Sequence, residues 1–264
     1  MVFVALTIAG SDPSGGAGLQ ADLKTFHQHS VYGEAVVTLL TVQNTRGVTN
    51  VTNLDAALVE SQIRAVCEDI PPHAVKTGAL GSRAVVERVG ACAPFLPNLV
   101  VDPVMISKHG AKLLAQDAVD AFCASLLPRA LLVTPNTHEA EALCGKAVRT
   151  VAEAREAALR ILDHGCRAVL VKGGHLDGPP VDVLCDAGTF YEFTGDRIAT
   201  NQTHGTGCTL SAAITAHLAR GTDLVSAVRQ AKSWLSEALR TAVPLGHGVG
   251  PVNHLAPVHP PLRT

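Results

Sequence analysis

The residues best suited to chemistry stand in the run Thr203-His204-Gly205-Thr206-Gly207-Cys208-Thr209-Leu210-Ser211. Two glycines flank Thr206 just before a run of small residues that reads as a helix over 207–220. Successive backbone N–H groups at a glycine turn and helix start can hold an oxyanion or a phosphate. Gly205, Thr206 and Gly207 are therefore candidate anion ligands. Cys208 falls in the first helical turn, where the positive helix end lowers a thiol's pKa and favours thiolate. The competing reading is that the glycines only turn the chain and Cys208 fills a small gap.

Four other clusters share that polarity. Ala9-Gly10-Ser11-Asp12-Pro13-Ser14-Gly15-Gly16-Ala17-Gly18 lies between an apolar run and a helical pattern. Its glycines permit close backbone approach, and a helix N-terminus follows; it has neither a Walker Lys-Ser/Thr nor G-x-G-x-x-G. Lys172-Gly173-Gly174-His175 follows an apolar strand, so Lys172 can act as a point charge on phosphates, or else is a solvated lysine in a turn. Thr134-Pro135-Asn136-Thr137-His138-Glu139 sets an amide and a carboxylate three residues apart, on one face of a helix start. Glu139 would suit a magnesium-bound water; equally, Asn136 or Thr137 would cap the helix with an acid in its first turn. Asp102, before Pro103, could reach the same cation or simply initiate a turn.

Alternating elements must position these clusters. Strands are expected at 2–9, 34–41, 74–77, 98–101, 131–134 and 168–171, with a hairpin of 181–185 and 190–193 turning at Ala187-Gly188. Helices are expected at 16–29, 54–69, 82–92, 116–126, 138–143, 151–163, 207–220 and 224–241. The alternation predicts an α/β fold with a mostly parallel sheet flanked by helices. The clusters fall at the carboxyl ends of the strands, including Gln43–Gly47 after the second, where open α/β sheets bind ligands. No linker or repeat divides residues 1–264, so one domain is expected.

Composition excludes several classes. The 264 residues are 47% hydrophobic and 17% charged, enough for a sizeable core. Lys and Arg number 21 against 23 Asp and Glu, a formal net charge of −2, which leaves no basic face for nucleic acid. Aromatics at 3% provide no stacking platform for bases. The N-terminus lacks a basic leader pattern, and no stretch reaches about 18 uninterrupted apolar residues. A cytoplasmic protein without membrane or nucleic-acid partners is expected. Seven cysteines without C-x-x-C read as reduced, small hydrophobes, and the 12 dispersed histidines suggest no zinc site.

Taken in order, the motifs resemble the ribokinase-like superfamily, and within it the hydroxymethylpyrimidine/phosphomethylpyrimidine kinases. The resemblance spans almost the whole chain. It rests on 9–18 with Gln20-Ala21-Asp22-Leu23-Lys24-Thr25, Gln43-Asn44-Thr45-Arg46-Gly47-Val48, Asp102-Pro103-Val104-Met105 and Thr134-Pro135-Asn136 with Glu139. Val171–His175, 203–211, Lys232-Ser233-Trp234-Leu235 and Gly246-His247-Gly248-Val249-Gly250-Pro251 complete it. It implies a ribokinase-like sheet sandwiched by helices, ATP as phosphoryl donor, Mg2+, a small-molecule pyrimidine substrate and a homodimer. Carried over by motif, Gln43 meets the pyrimidine, with Gly10, Asp12, Ala17, Val42 and Val104 around it. Gly205, Thr206, Gly207 and Cys208 form the catalytic turn, Lys172, Thr206 and Asn136 serve the nucleotide, and Glu139 and Asp102 serve the metal. Most of the superfamily carries Asp where Cys208 stands, and some pyridoxal kinases also carry Cys. Ala79 replaces a Met found in many relatives and loosens one wall of the pocket. The alternatives are a pyridoxal kinase of the same fold and a non-catalytic nucleotide- or vitamin-binding protein.

Overall fold

The computed structural model describes residues 2–105, 110, 113–114, 117–174, 176 and 179–258. In chain order the elements are β1 (Val4–Ser11), α1 (Gly18–Gln28), β2 (Tyr32–Asn44), β3 (Gly47–Asn53), α2 (Ala56–Asp69), β4 (Ala74–Thr77) and α3 (Arg83–Ala91). There follow β5 (Leu99–Val101), α4 (Ala118–Ala121), β6 (Leu132–Val133), α5 (Thr137–Cys144), α6 (Val151–Leu162) and β7 (Ala168–Val171). The chain then runs through β8 (Val181–Asp186), β9 (Thr189–Thr194), α7 (Thr206–Ala219) and α8 (Leu224–Arg240).

The strands form one sheet in the order β3-β2-β1-β4-β5-β6-β7-β8-β9. Pairing is parallel from β2 through β7, while β3 at one edge and β8 and β9 at the other run antiparallel. Strands covered on both faces need continuous apolar runs, and β1 is buried from Val4 to Gly10. Ile63 of α2, Val86 of α3 and Ile161 of α6 pack on one face. Phe26 of α1, Ile214 of α7 and Trp234 of α8 pack on the other. Helix α7 is buried from Thr209 to Ala219, so it needs small residues on every side.

Two expectations are corrected. Strand β3 is absent from the sequence reading: Gly47–Asn53 lies at the sheet edge, mostly out of the core, and shows no apolar alternation. Its Val and Thr content was the available signal. The helix expected at 116–126 is broken. α4 spans four residues, a π-helical turn follows at Phe122–Leu126, and Pro128 admits only a 3-10 turn at Leu127–Arg129. Gln116, like His175 of the lysine motif, lies outside the described residues. Cys67, Cys92, Cys166 and Cys185 are buried in the core, and Cys123 and Cys144 pack against it, as small hydrophobes would. Among the described residues no helix is long and apolar enough to cross a membrane.

Candidate active site

A cavity of about 840 Å³ runs along the carboxyl ends of the parallel strands. It brings together Gly10, Asp12, Ala17, Gln43, Asp102, Val104, Asn136, Glu139, Lys172, Gly205, Thr206, Gly207 and Cys208, all predicted from sequence. Val42 is the exception. Alternate residues of a strand point to opposite faces; Thr41 and Gln43 line the cavity, whereas the Val42 side chain is 58% exposed on the other side.

Helix starts explain why the cavity can hold an anion. α2, α3, α5, α6 and α8 each begin with a side chain that accepts a first-turn N–H. α7 begins at Gly205, in the left-handed region at φ 75°, with no side-chain cap. The Thr206 N–H meets the Thr203 carbonyl at 3.4 Å, while the first-turn N–H groups of Gly207 and Cys208 have no partner inside the helix, and both residues line the cavity. A Cβ on Gly205 would collide with the Gly16 carbonyl, and one on Gly18 (φ 56°) with the Gly10 carbonyl. The two glycine loops therefore interlock backbone to backbone.

At one end, Asp12 organises the 10–18 loop. Its Oδ1 accepts the Ser14 N–H and hydroxyl at 2.9 and 2.7 Å, and Oδ2 accepts the Ala17 N–H at 2.9 Å. Burial works to raise its pKa, but the hydrogen bonds from His204 and Ser14 outweigh it and hold the carboxyl below its ordinary value. Asp12 Oδ2 thus accepts the His204 Nε2 hydrogen at 2.7 Å, and the Gln43 amide nitrogen lies 3.2 Å from the same ring nitrogen. His204 was part of a motif, but its pairing with Asp12, 192 residues away, was not legible. The 246–251 segment supports this end: Gly250 accepts the His204 N–H, and Thr45 at the β2–β3 turn accepts the Val249 N–H, both at 2.9 Å.

The middle of the cavity is charged. Lys172 Nζ lies 2.9 Å from Asp102 Oδ1 and 3.9 Å from Glu139 Oε2, and is 14% exposed. It is not a solvated turn lysine. A Cβ on Gly207 would lie 3.1 Å from that ammonium, which therefore sits beside the α7 N-terminus. Burial disfavours its charge, but Asp102 and Glu139 overcome this and raise its pKa. Asn136 and Glu139 form a reciprocal capping box: Asn136 Oδ1 accepts the Glu139 N–H at 2.9 Å, and Glu139 Oε2 accepts the Asn136 N–H at 2.7 Å. The capping reading is correct, and the same two residues line the cavity. Burial, opposed by Lys172 and reinforced by Asp102, pushes Glu139 up to about 7.

Cys208 faces the cavity as expected, but the thiolate expectation is corrected. Burial pushes its thiol up to about 11; the Lys76 charge and the Gly18 N–H oppose the rise, while Asp22 and Asp102 reinforce it. An uncapped helix end does not offset loss of water around the sulfur. The buried ion pair of Lys76 with Asp22 was also not legible. The available signal was a lysine inside the buried strand Ala74-Val75-Lys76-Thr77, since lysine is almost never fully buried unless paired.

Among the described residues, no group of three or more His, Cys, Asp or Glu side chains could hold a metal by itself. Two oxygen donors beside a phosphate-sized anion site do fit magnesium, which is commonly held by one or two carboxylates together with waters and substrate phosphates.

The phosphomethylpyrimidine kinase family matches residues 12–253. The thiamine biosynthesis bifunctional protein ThiED of Geobacter sulfurreducens is 47% identical over 95% of this chain, which spans only 52% of that longer relative. The hydroxymethylpyrimidine/phosphomethylpyrimidine kinase of Rhizobium meliloti is 47% identical over 96% of this chain and 97% of its own. The structure of Staphylococcus aureus pyridoxal kinase in complex with AMP-PCP and pyridoxal matches with a TM-score of 0.89 and 36% identity, covering 97% of this chain and 94% of that one.

Proposed function

The chain belongs to the phosphomethylpyrimidine kinase family, and from that membership and the cavity's geometry we propose that it acts in thiamine biosynthesis. It transfers the γ-phosphoryl group of ATP to the hydroxymethyl group of 4-amino-5-hydroxymethyl-2-methylpyrimidine, then transfers a second one to the resulting monophosphate. The observation that carries this reading is the uncapped start of α7, set between the Lys172 ammonium and the cluster of Gln43, His204 and Asp12 in one cavity.

Phosphoryl transfer needs alignment and charge stabilisation more than covalent help. The Gln43 amide offers a donor beside an acceptor, matching the amino group and ring nitrogen of an aminopyrimidine edge. That pairing aims the hydroxymethyl oxygen at the γ-phosphorus. A bond forms from that oxygen to phosphorus as the bond to the β,γ-bridging oxygen breaks, and its electron pair leaves with ADP. The first-turn N–H groups of α7 and Lys172 receive the charge spread over the phosphoryl oxygens. The hydroxyl proton passes to the minor thiolate form of Cys208, a form that grows with pH because burial pushes the thiol up to about 11. In the second transfer the nucleophile is a phosphate oxygen, already ionised, and needs little base.

Glu139 and Asp102 would hold magnesium, Glu139 through water. The ion supplies charge neutralisation on the β- and γ-phosphate oxygens when bound. Asn136 holds Glu139 in place through the capping box, and Lys172 keeps the cluster from being wholly anionic. The homodimer implied by the resemblance is part of the reading, and sedimentation of the purified chain tests it.

Product analysis with hydroxymethylpyrimidine, ATP and magnesium is the deciding experiment. Sequential appearance of the mono- and diphosphate supports the assignment. A pyridoxal kinase is the second reading, favoured by the likeness to the S. aureus enzyme and by the small Ala79 on the cavity wall. Phosphorylation of pyridoxal alone would establish it. Tight binding of both alcohols with turnover of neither would leave a binding protein.

A further inference from the structure

Lys76 and Asp22 form an ion pair whose side chains are both 0% exposed. Lys76 Nζ meets both carboxylate oxygens, at 2.8 and 2.9 Å, and the Thr7 hydroxyl donates to Asp22 Oδ2 at 2.6 Å. Removing two charges from water can cost more than their attraction returns, and an apolar pair of similar size often serves stability as well or better, so a buried pair is weak evidence for a purely stabilising role.

The pair's location suggests another role. Lys76 shares its strand face with Ala74, which packs in the core beneath α7. A Cβ on Gly78, which lines the cavity, would lie 3.7 Å from the Lys76 ammonium. Asp102 follows β5, and the Ser211 hydroxyl of α7 lies 3.2 Å from its Oδ2. Lys172 follows β7 and meets Asp102 on the other side. Acidic and basic side chains therefore alternate from α1 to α5: Asp22, Lys76, Asp102, Lys172, Glu139, with burial pushing the Asp22 and Glu139 carboxyls up. The Gly18 N–H at the start of α1 meets the Cys208 sulfur, and Asp22, which holds Lys76, stands one helical turn further along α1, so the ion pair lies one turn from the thiol. Burial opposes the charge on Lys76, but the Asp22 carboxylate, with help from Asp102, outweighs it and raises its pKa.

We propose that Lys76, clamped by Asp22, is a positioning residue for phosphoryl transfer to the alcohol, its fixed positive charge behind the 205–208 turn stabilising negative charge on the Cys208 sulfur. This deepens the kinase reading and rests on it for the rate effect only. The alcohol step needs the thiolate, whereas the monophosphate step does not. Lys76 therefore acts on one of the two transfers and touches neither substrate.

The test is the charge-neutral double variant Lys76→Met with Asp22→Asn, which keeps side-chain size and leaves an acceptor for Thr7. Iodoacetamide alkylation of Cys208, followed across pH by peptide mass spectrometry, reads the thiol without any turnover. The expected result is a folded protein whose alkylation midpoint rises by about one pH unit. The alcohol kcat falls about tenfold, since each unit of rise cuts thiolate about tenfold. Both KM values hold, and the monophosphate step changes less. If the double variant does not fold, Asp22→Asn alone carries the test: Lys76 is then unbalanced, and the midpoint should move down. An unmoved midpoint in either folded variant overturns the proposal and leaves the pair a packing device. Failure of the kinase reading itself would appear as absent product in the wild type, with the alkylation result still interpretable.

Discussion

At one end of the cavity the His204 Nε2–H donates to the Asp12 carboxylate at 2.7 Å, and the Gln43 side-chain amide stands 3.2 Å from that same nitrogen. In the middle, Lys172 meets two carboxylates at 2.9 and 3.9 Å. Both sets stand on the carboxyl ends of strands beside α7, yet they suit different tasks. Directional amide and imidazole contacts read shape and hydrogen-bond pattern, so that end should control which alcohol binds and how it is aimed. A charge cluster is less directional and acts on whatever negative charge develops nearby, so it should control rate for every acceptor. Cys208 lies where the two meet and should affect the alcohol transfer more than the other.

The largest expected effect tests that junction. Cys208→Ala should slow the first phosphorylation by about 10²–10⁴, the usual worth of general-base help. The second should suffer less and ATP affinity should stay near wild type. With the thiol at about 11, the wild-type alcohol rate should also climb with pH through the alkaline range, and this limb should vanish in the variant. Steady-state kinetics on both acceptors measure this; equal alcohol rates would leave Cys208 as packing.

Lys172→Met should break the charged cluster and lower kcat by about 10²–10³ for both acceptors alike. A loss confined to the alcohol would show that the two regions are not separable as described. Gln43→Leu should do the opposite. It should cost about 1–3 kcal/mol in pyrimidine binding by leaving buried ring groups unpaired, with ATP affinity preserved. Calorimetric titration with each ligand distinguishes the two variants, and unchanged pyrimidine affinity would remove Gln43 from the site.

The smallest expected effect is a control remote from the cavity. Glu34 on β2 is buried, its Oε2 has no hydrogen-bond partner, and burial with nearby Asp69 raises its pKa from 4.5 to about 7. Over that window the folded chain holds a proton the unfolded chain has lost, so this group's contribution makes stability fall as pH rises from about 4.5 to about 7. Glu34→Gln should flatten that slope and raise Tm above pH 7 by about 2–4 °C, with both transfers unaffected. A Tm–pH curve identical to wild type would assign the slope to the charged cluster instead.

Much of the frame was legible in the residues. The strand at Ala74–Thr77 and the hairpin at 181–194 follow from short apolar or alternating runs bounded by turn residues. The Gly205 turn follows from a local requirement: a left-handed residue packed against the Gly16 carbonyl admits no side chain. Capping at Asn136 is local too, since its partner stands three residues away. These signals survive in sequence because the interacting groups are chain neighbours or because one backbone conformation admits one residue type.

What only the tertiary structure decided involves groups far apart in the chain or the loss of water around them. Gln43 and His204 are 161 residues apart, and Lys76 and Asp22 are 54 apart. Whether Val42 or Gln43 faces the cavity depends on which face of β2 the loops close over. The exposed edge strand β3 has no buried face to imprint alternation on its residues. The protonation of Cys208 was misjudged for the same reason. A helix end can be inferred from sequence, but the desolvation that outweighs it is set by everything packed around the sulfur.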